Sequence, residues 1–475
     1  MGLVSLGCPK NLVDSEGILG RLAGAGFVVT AAPEEAEILI VNTCGFVGDA
    51  KQESIDTLLE MAQHKETGRC RYLVATGCLT QRYATELAAE LPEVDAWLGF
   101  ETYPQIERVL HDLYGGRIDG VPVRVSDPAA ALGVELGRLR LTPRHYAYLR
   151  ISEGCDKTCT FCSIPAIRGA FRSKPLEAVI EEAQELVRSG ARELHVISQD
   201  TLHYGVDLGT GGRPGKRSIA RLVERLCAID GLDWLRLWYL YPGKLPDGLA
   251  EQIRDQPKVV PYLDMPIQHA DPGILKAMRR PFDLEAMRDQ LAALRALRDG
   301  LVLRTTAIVG FPGEGEREFE RLLATVEEVG FERLGVFLYS REEGTAADTL
   351  EGHVPERTKK RRHRALVARA KDLLLKAQAR RVGKVEPVLV DGPAPGRPGL
   401  WAARGTADGP DVDPVVLLPD AGALVGRIVP ARITAVDGID LVGVALVDGV
   451  HGDGTRRGAD ARARGVPAEP NAAAR

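Results

Sequence analysis

The chain is 475 residues long and slightly acidic, with 66 Asp and Glu against 61 Lys and Arg, a net charge of −5. That balance excludes a protein that coats nucleic acid, while leaving room for a local basic contact. Eight cysteines are too sparse for a disulfide scaffold, no run reaches the ~18 apolar residues of a membrane span, and no secretory leader precedes Leu3-Val4-Ser5-Leu6-Gly7-Cys8, so a cytoplasmic protein of roughly two to four domains with no membrane partner is expected.

Residues 1–120 alternate short apolar runs with helical stretches. Ile38-Leu39-Ile40-Val41 and Tyr72-Leu73-Val74-Ala75 read as strands, with helices over Ser54–Gln63 and Gln81–Leu91. The alternation predicts a parallel α/β domain. Three strand ends carry a cysteine beside a glycine: Gly7-Cys8, Cys44-Gly45 and Gly77-Cys78. The carboxyl ends of parallel strands line the ligand crevice, so three thiols far apart in sequence are expected at one sheet edge. A single such cysteine would read as a small buried hydrophobe. Three at equivalent places favour a site, whereas Cys70 and Cys227 lack that context and read as structural.

Residues 141–345 repeat strand and helix again. The predicted strands are Tyr148–Ser152, Glu193–Ser198, Leu235–Leu240, Tyr262–Pro266, Thr305–Val309 and Gly335–Tyr339. The helices between them include Leu176–Arg188, Ile219–Ile229, Leu284–Leu297 and Glu316–Val329. Six such units predict a partial (β/α)6 barrel with its site at the C-terminal mouth. After the first strand comes Gly154-Cys155-Asp156-Lys157-Thr158-Cys159-Thr160-Phe161-Cys162, three thiols in one short loop without a fourth. Thiolates are the preferred ligands of iron–sulfur clusters, and three of them leave one iron of a cubane open. Zinc is the competing reading, but structural zinc sites are closed by a fourth ligand, and neither His145 nor His195 is placed to supply it.

Residues 355–381 are helical and basic, including Lys359-Lys360-Arg361-Arg362-His363-Arg364. Such a run either contacts ribosomal or transfer RNA phosphates or is a solvated connecting helix, the commoner case. Residues 383–447 hold short apolar runs punctuated by Gly, Pro and Asp, predicting a small antiparallel β-barrel. Residues 448–475 are rich in Ala, Gly and Arg and are expected to be disordered.

The cysteine loop, with Phe161 just before its third thiol, resembles the radical S-adenosylmethionine (SAM) enzymes. All three regions together resemble the methylthiotransferases: a cluster domain, a radical SAM barrel and a TRAM domain, over roughly residues 3–447. Within them the chain resembles the RimO type, which modifies an aspartate of the small-subunit ribosomal protein numbered twelve. The carrying motifs are Ser5-Leu6-Gly7-Cys8-Pro9-Lys10-Asn11, Asn42-Thr43-Cys44-Gly45-Phe46, Ala50-Lys51-Gln52-Glu53-Ser54 and Ile164-Pro165 with Arg168-Gly169. Asp264-Met265-Pro266-Ile267-Gln268-His269-Ala270, Phe337-Leu338-Tyr339-Ser340 and Glu342-Glu343-Gly344-Thr345 complete them. The MiaB type, which modifies a transfer RNA adenosine, is the alternative; it has Gln-Met-Asn after the first cysteine and Val-Pro after the cluster loop.

The resemblance implies two 4Fe–4S clusters, an auxiliary one on Cys8, Cys44 and Cys78 and a SAM cluster on Cys155, Cys159 and Cys162. It implies two uses of SAM, as methyl donor to a sulfur at the auxiliary cluster and as source of the radical that activates the aspartate β-carbon. An external electron donor follows from the same resemblance. Phe161, Gln199, Asp200, Gly310, Gly313 and Glu314 are the expected cofactor contacts, set against ordinary polar strand ends. Arg168 reads equally as a carboxylate partner or a surface arginine, and His269 as a structural histidine. The C-terminal barrel carries Asp391, Asp408, Asp411, Asp413 and Asp420, an acidic surface that suits a protein partner better than RNA. A non-catalytic iron–sulfur or zinc module is the rival from another class.

Overall fold

The computed structural model describes residues 1–118, 120–128, 133, 135–209, 218–280 and 283–447. The expected disordered tail, residues 448–475, lies outside the described residues. The chain divides into two compact units, residues 1–370 and 371–475.

The first unit holds two parallel sheets. In the first, β1 (Gly2–Ser5), β2 (Ile38–Thr43), β3 (Tyr72–Gly77), β4 (Ala96–Leu98) and β5 (Val123–Arg124) lie side by side in chain order. All four pairings are parallel, so each connection must cross a face of the sheet. Helix α1 (Pro9–Gly24) follows β1 and α2 (Gly48–Ala62) follows β2. β2 is buried along its whole length, as an apolar run between covered faces requires. One face packs Ile18, Leu22, Ile40, Val74 and Leu98, while Leu39, Val41, Leu58, Leu73 and Trp97 pack on the other.

The second sheet contains β6 (Tyr146–Arg150), followed by a separate hairpin-like pair, β7 (Ser152–Glu153) with β8 (Arg172–Ser173). β9 (Glu193–Ile197), β10 (Trp234–Leu237), β11 (Val259–Asp264), β12 (Val302–Val309) and β13 (Arg333–Leu338) complete it. Its order is 6-9-10-11-12-13, all parallel, which is the open six-strand (β/α) arrangement. The helices over Leu176–Arg188 and Glu316–Val329 match their predicted bounds.

Strand ends differ from expectation for local reasons. The predicted strand to Pro266 stops at Asp264, with Met265 N–H still donating to the Arg304 carbonyl at 2.9 Å. The predicted strand to Leu240 stops at Leu237, two residues before Tyr239 turns into the left-handed region at φ 58°. The first strand is shifted, since Ser152 leaves the main sheet to pair with Ser173.

The helix Glu356–Ala379 runs across the division between the units. The second unit is a closed barrel of β14 (Val385–Pro393), β15 (Leu400–Gly405), β16 (Val416–Pro419), β17 (Ile428–Asp437) and β18 (Asp440–Ala445). Four joins are antiparallel as predicted, but β16 and β18 close the barrel in parallel. Its expected acidic surface is reduced by internal pairing. Asp408 is fully buried and accepts two hydrogen bonds of 2.8 Å from Arg381, and Asp391 holds Arg404 at 2.6 Å.

Candidate functional site

Cys44 and Cys78 follow β2 and β3 directly and Cys8 comes just past Leu6 and Gly7 after β1, at the carboxyl ends of three adjacent strands. Cys8 is exposed, whereas Cys44 and Cys78 are buried. Gly7, at φ 84°, must be glycine: a Cβ there would stand 2.9 Å from the sulfur of Cys44. Asn11, in the first turn of α1, ties these ends together. Its Nδ2 donates to the carbonyls of Leu6 at 2.8 Å and Thr43 at 3.0 Å. Its Oδ1 lies 3.7 Å from Cys78 Sγ. Desolvation pushes the Cys44 thiol up to about 12 and that of Cys78 up to about 11. Thiolate ligation would therefore displace a proton at each, with a metal supplying the driving charge.

The second trio sits beyond β7. Gly154, at φ 73°, lets the loop pass within 2.1 Å (from its missing Cβ) of the Ala170 carbonyl. Cys155 N–H donates to the Gly169 carbonyl at 3.1 Å, and Cys162 N–H to that of Cys159 at 3.1 Å. Thr160 anchors the loop to the barrel, donating from its hydroxyl to the Ala277 carbonyl at 2.8 Å. Burial pushes Cys155 up to about 11 and Cys162 up to about 12. Arg280 approaches Cys159 Sγ with Nη1 at 3.8 Å and stacks 4.2 Å from the Tyr241 ring centroid. These residues border a cleft of about 540 Å³ lined by Asp156, Lys157, Tyr241, Lys276, Arg279 and Arg280.

The donor sets suit clusters. Both trios are free thiols on tightly braced loops. No three His, Cys, Asp or Glu groups among the described residues converge on a single ion, which a cluster does not require because its thiolates bind separate irons. Buried acceptors without a partner among the described residues face the barrel's loop ends: Gln199 Oε1 and Gln268 Oε1. Buried polar atoms of this kind also occur away from the site, so it is the place of these two at the strand ends that suits a cofactor.

The remaining expected contacts divide. Phe161 packs with Ile274, Met278, Phe311 and Tyr339, so it wedges the cysteine loop against the glycine loop. Gln199 donates from Nε2 to Glu153 at 2.6 Å, and Asp200 pairs with Lys157 at 3.3 Å. Gly310, at φ 78°, donates its N–H to Glu314 Oε2 at 2.9 Å, and Gly313 donates to the Gly352 carbonyl at 3.0 Å. Glu314 is buried and its Oε1 accepts from Arg362 at 2.8 Å, so its carboxylate shapes the loop from within. His269 is fully buried, its Nδ1 accepting from Asp271 N–H at 2.9 Å. Cys70 and Cys227 are buried away from both trios, Cys70 in the core of the first sheet and Cys227 at the end of a barrel helix.

Arg168 is no surface residue. It is 3% exposed and donates to Glu153 Oε2 at 2.9 Å, Asp14 Oδ2 at 2.9 Å, Asn11 Oδ1 at 3.0 Å and Cys78 Sγ at 3.4 Å. Arg150 doubles the link, donating to Asp14 at 2.7 Å and Glu153 at 2.5 Å. On the other flank Lys51 and Arg82 reach Glu342 at 2.8 and 3.2 Å. Asp14, Arg150 and Glu153 carried no sequence signal of their own. Lys10 lies within the motif of residues 5–11 and Tyr241 in the loop after a barrel strand, whereas Arg280, just past the helix Pro272–Ala277, carried no signal.

The basic helix is also tied to neighbouring elements, by one part-buried contact and by surface ion pairs. Lys359 donates to the Tyr339 carbonyl at 3.0 Å, Arg361 pairs with Glu316 at 2.6 Å and Arg369 with Glu327 at 3.0 Å.

Comparisons agree with this architecture. Residues 1–99 match the uncharacterized protein family UPF0004, 149–326 the radical SAM superfamily and 382–446 the TRAM domain. In fold the chain is similar to a radical SAM methyltransferase, TsrM, from Kitasatospora setae, with a TM-score of 0.53 at 14% identity, covering 84% of this chain and 77% of that one. The ribosomal protein uS12 methylthiotransferase RimO of Geobacter sulfurreducens is 46% identical over 93% of this chain and 98% of its own. That of Anaeromyxobacter sp. strain Fw109-5 is 45% identical over 93% and 92%. The chain belongs to the RimO family of ribosomal protein uS12 methylthiotransferases.

Proposed function

We propose that this protein adds a methylthio group to the β-carbon of an aspartate in ribosomal protein uS12, using SAM and two 4Fe–4S clusters. The observation that carries the reading is the double bridge of Arg168 and Arg150, which joins the strand ends bearing Cys8, Cys44 and Cys78 to the strand preceding Cys155. Two cofactor sites must share one substrate position, and a rigid ionic bridge supplies that geometry. When bound, the clusters and SAM supply the sulfur and the radical chemistry, while the protein supplies orientation and exclusion of water.

In this reading Cys8, Cys44 and Cys78 hold the auxiliary cluster, and Cys155, Cys159 and Cys162 the SAM cluster. Gln199, with an unsatisfied Oε1, and Asp200 offer polar contacts to SAM, and Phe161 braces the loop between. The backbone of Gly310 and Gly313 gives close approach on the opposite side, where Glu314 holds the turn. An electron must enter from an external donor, and the cleft flanked by Lys157, Lys276 and Arg279, which Arg280 links to Cys159, offers a charged face for it. No helix among the described residues is long and apolar enough to cross a membrane, and a ribosomal substrate assigns the protein to the cytoplasm. Contact with ribosomal RNA, if made by the basic helix, falls to the exposed Arg357, Lys360 and Arg364.

The test is anaerobic reconstitution with iron and sulfide, followed by SAM, a reductant and two substrates in parallel. A uS12 loop peptide is expected to gain one methylthio group by mass spectrometry. Gain on an anticodon stem-loop instead would overturn the substrate and leave the chemistry standing.

A further inference from the structure

Lys10 is the second residue of α1, two positions after Cys8. It is 9% exposed, and its ammonium lies 3.2 Å from the centroid of the Tyr239 ring. That ring is held deliberately. Tyr239 adopts φ 58°, a conformation that bulky residues avoid, and its N–H donates to Asp264 Oδ2 at 3.1 Å while its carbonyl accepts from Thr201 at 3.1 Å. A residue of the cluster domain therefore reaches over the end of barrel strand β10.

Every carboxylate near Lys10 is already matched. Asp264 accepts from Arg304 at 2.8 Å and from Tyr239. Glu153 accepts from Arg150, Arg168, Gln199 and the Gly154 N–H. Asp14 is shared by Arg150 and Arg168. Lys10 itself has no hydrogen-bond or ion-pair partner among the described residues. A desolvated ammonium loses its hydration, and an aromatic face returns only part of it. The ring covers one side of the ammonium and leaves N–H donors open for an anion.

We propose that Lys10 binds the side-chain carboxylate of the substrate aspartate. This rests on the reading above of the chain as an aspartate methylthiotransferase. The carboxylate persists through the reaction and is bonded to the β-carbon that reacts. Holding it two residues from Cys8 and over the end of barrel strand β10 keeps that carbon where the cluster domain meets the barrel, the kind of placement that a transient carbon radical requires. A lysine suits the task, because its point charge tolerates small shifts of a carboxylate on a flexible loop.

The test compares the uS12 loop peptide with its Asp→Asn counterpart on the anaerobically reconstituted enzyme. Binding is read by fluorescence anisotropy, modification by mass spectrometry and cluster content by iron and sulfide assay. The wild type is expected to bind the aspartate peptide about 10- to 100-fold tighter, the value of a charge-assisted hydrogen bond. Lys10→Met should bind both peptides alike with iron unchanged, and Lys10→Arg should restore part of the preference. Equal binding of both peptides by the wild type, or a preference that survives in Lys10→Met, would overturn the assignment. So would loss of iron from Lys10→Met, which would give Lys10 a role in holding the cluster. If the wild type modifies neither peptide, the proposed function itself fails, a result distinct from modification without discrimination.

Discussion

Arg168 donates from Nη2 to Cys78 Sγ across 3.4 Å and from Nη1 to Glu153 Oε2 across 2.9 Å. One guanidinium thus touches a thiol of the first sheet and the carboxylate two residues before Cys155. Burial would raise the Glu153 carboxyl, but Arg168 and Arg150 outweigh it and hold it at about 2.

Arg168→Ala should therefore be strongly destabilising. It leaves Asp14 and Glu153 buried with less than their counter-charge, a loss of about 3–5 kcal/mol for one partner of a buried pair. Denaturant unfolding of the metal-free chain measures it. Arg168→Lys keeps the charge without the fork, so its recovery should be incomplete.

The two cysteine trios should separate by mutation. Cys159→Ala is expected to abolish SAM cleavage. Cys44→Ala should lower iron from about eight to about four per chain, keep some release of 5′-deoxyadenosine and stop methylthio transfer. Methylthio transfer retained in Cys44→Ala would remove that residue from the auxiliary site.

Acid should weaken the protein through Glu135. Burial would raise its carboxyl from the usual 4.5, but Arg150 and Lys174 outweigh that and lower it to about 2. A carboxyl lowered in the folded state stabilises fully above pH 4.5 and loses that contribution as pH falls toward 2. Glu135→Gln should then destabilise by about 3 kcal/mol at pH 7 and by clearly less at pH 3. Urea midpoints of both proteins at the two pH values give the difference.

The basic helix should respond according to burial rather than charge. Arg362 is buried against Glu314, so Arg362→Ala should loosen the Gly310–Glu314 turn and raise the KM for SAM several-fold. Lys360→Glu with Arg364→Glu, both exposed, should leave folding within about 0.5 kcal/mol. If ribosomal RNA binds there, the double change should flatten the salt dependence of ribosome binding.

Much of this protein was legible before any coordinates. The x3 and x2 spacing of Cys155, Cys159 and Cys162 defines its loop because the ligands are local, and spacing alone sets what a short loop can chelate. The parallel α/β pattern placed Cys8, Cys44 and Cys78 at strand ends, since the period of apolar residues sets the element and the element sets where it stops. The helices Leu176–Arg188 and Glu316–Val329 were read to the residue from the same periodicity. Tertiary structure alone decided which charges meet. Arg168 finds Asp14 and Cys78 across 154 and 90 positions of chain, and the run from Lys359 turns inward to Tyr339 and Glu314. A charged side chain looks the same in sequence whether water or a buried carboxylate surrounds it. Only packing removes the water, and with it gone a guanidinium or ammonium must find an anion, in the fold for Arg168 and in the substrate for Lys10.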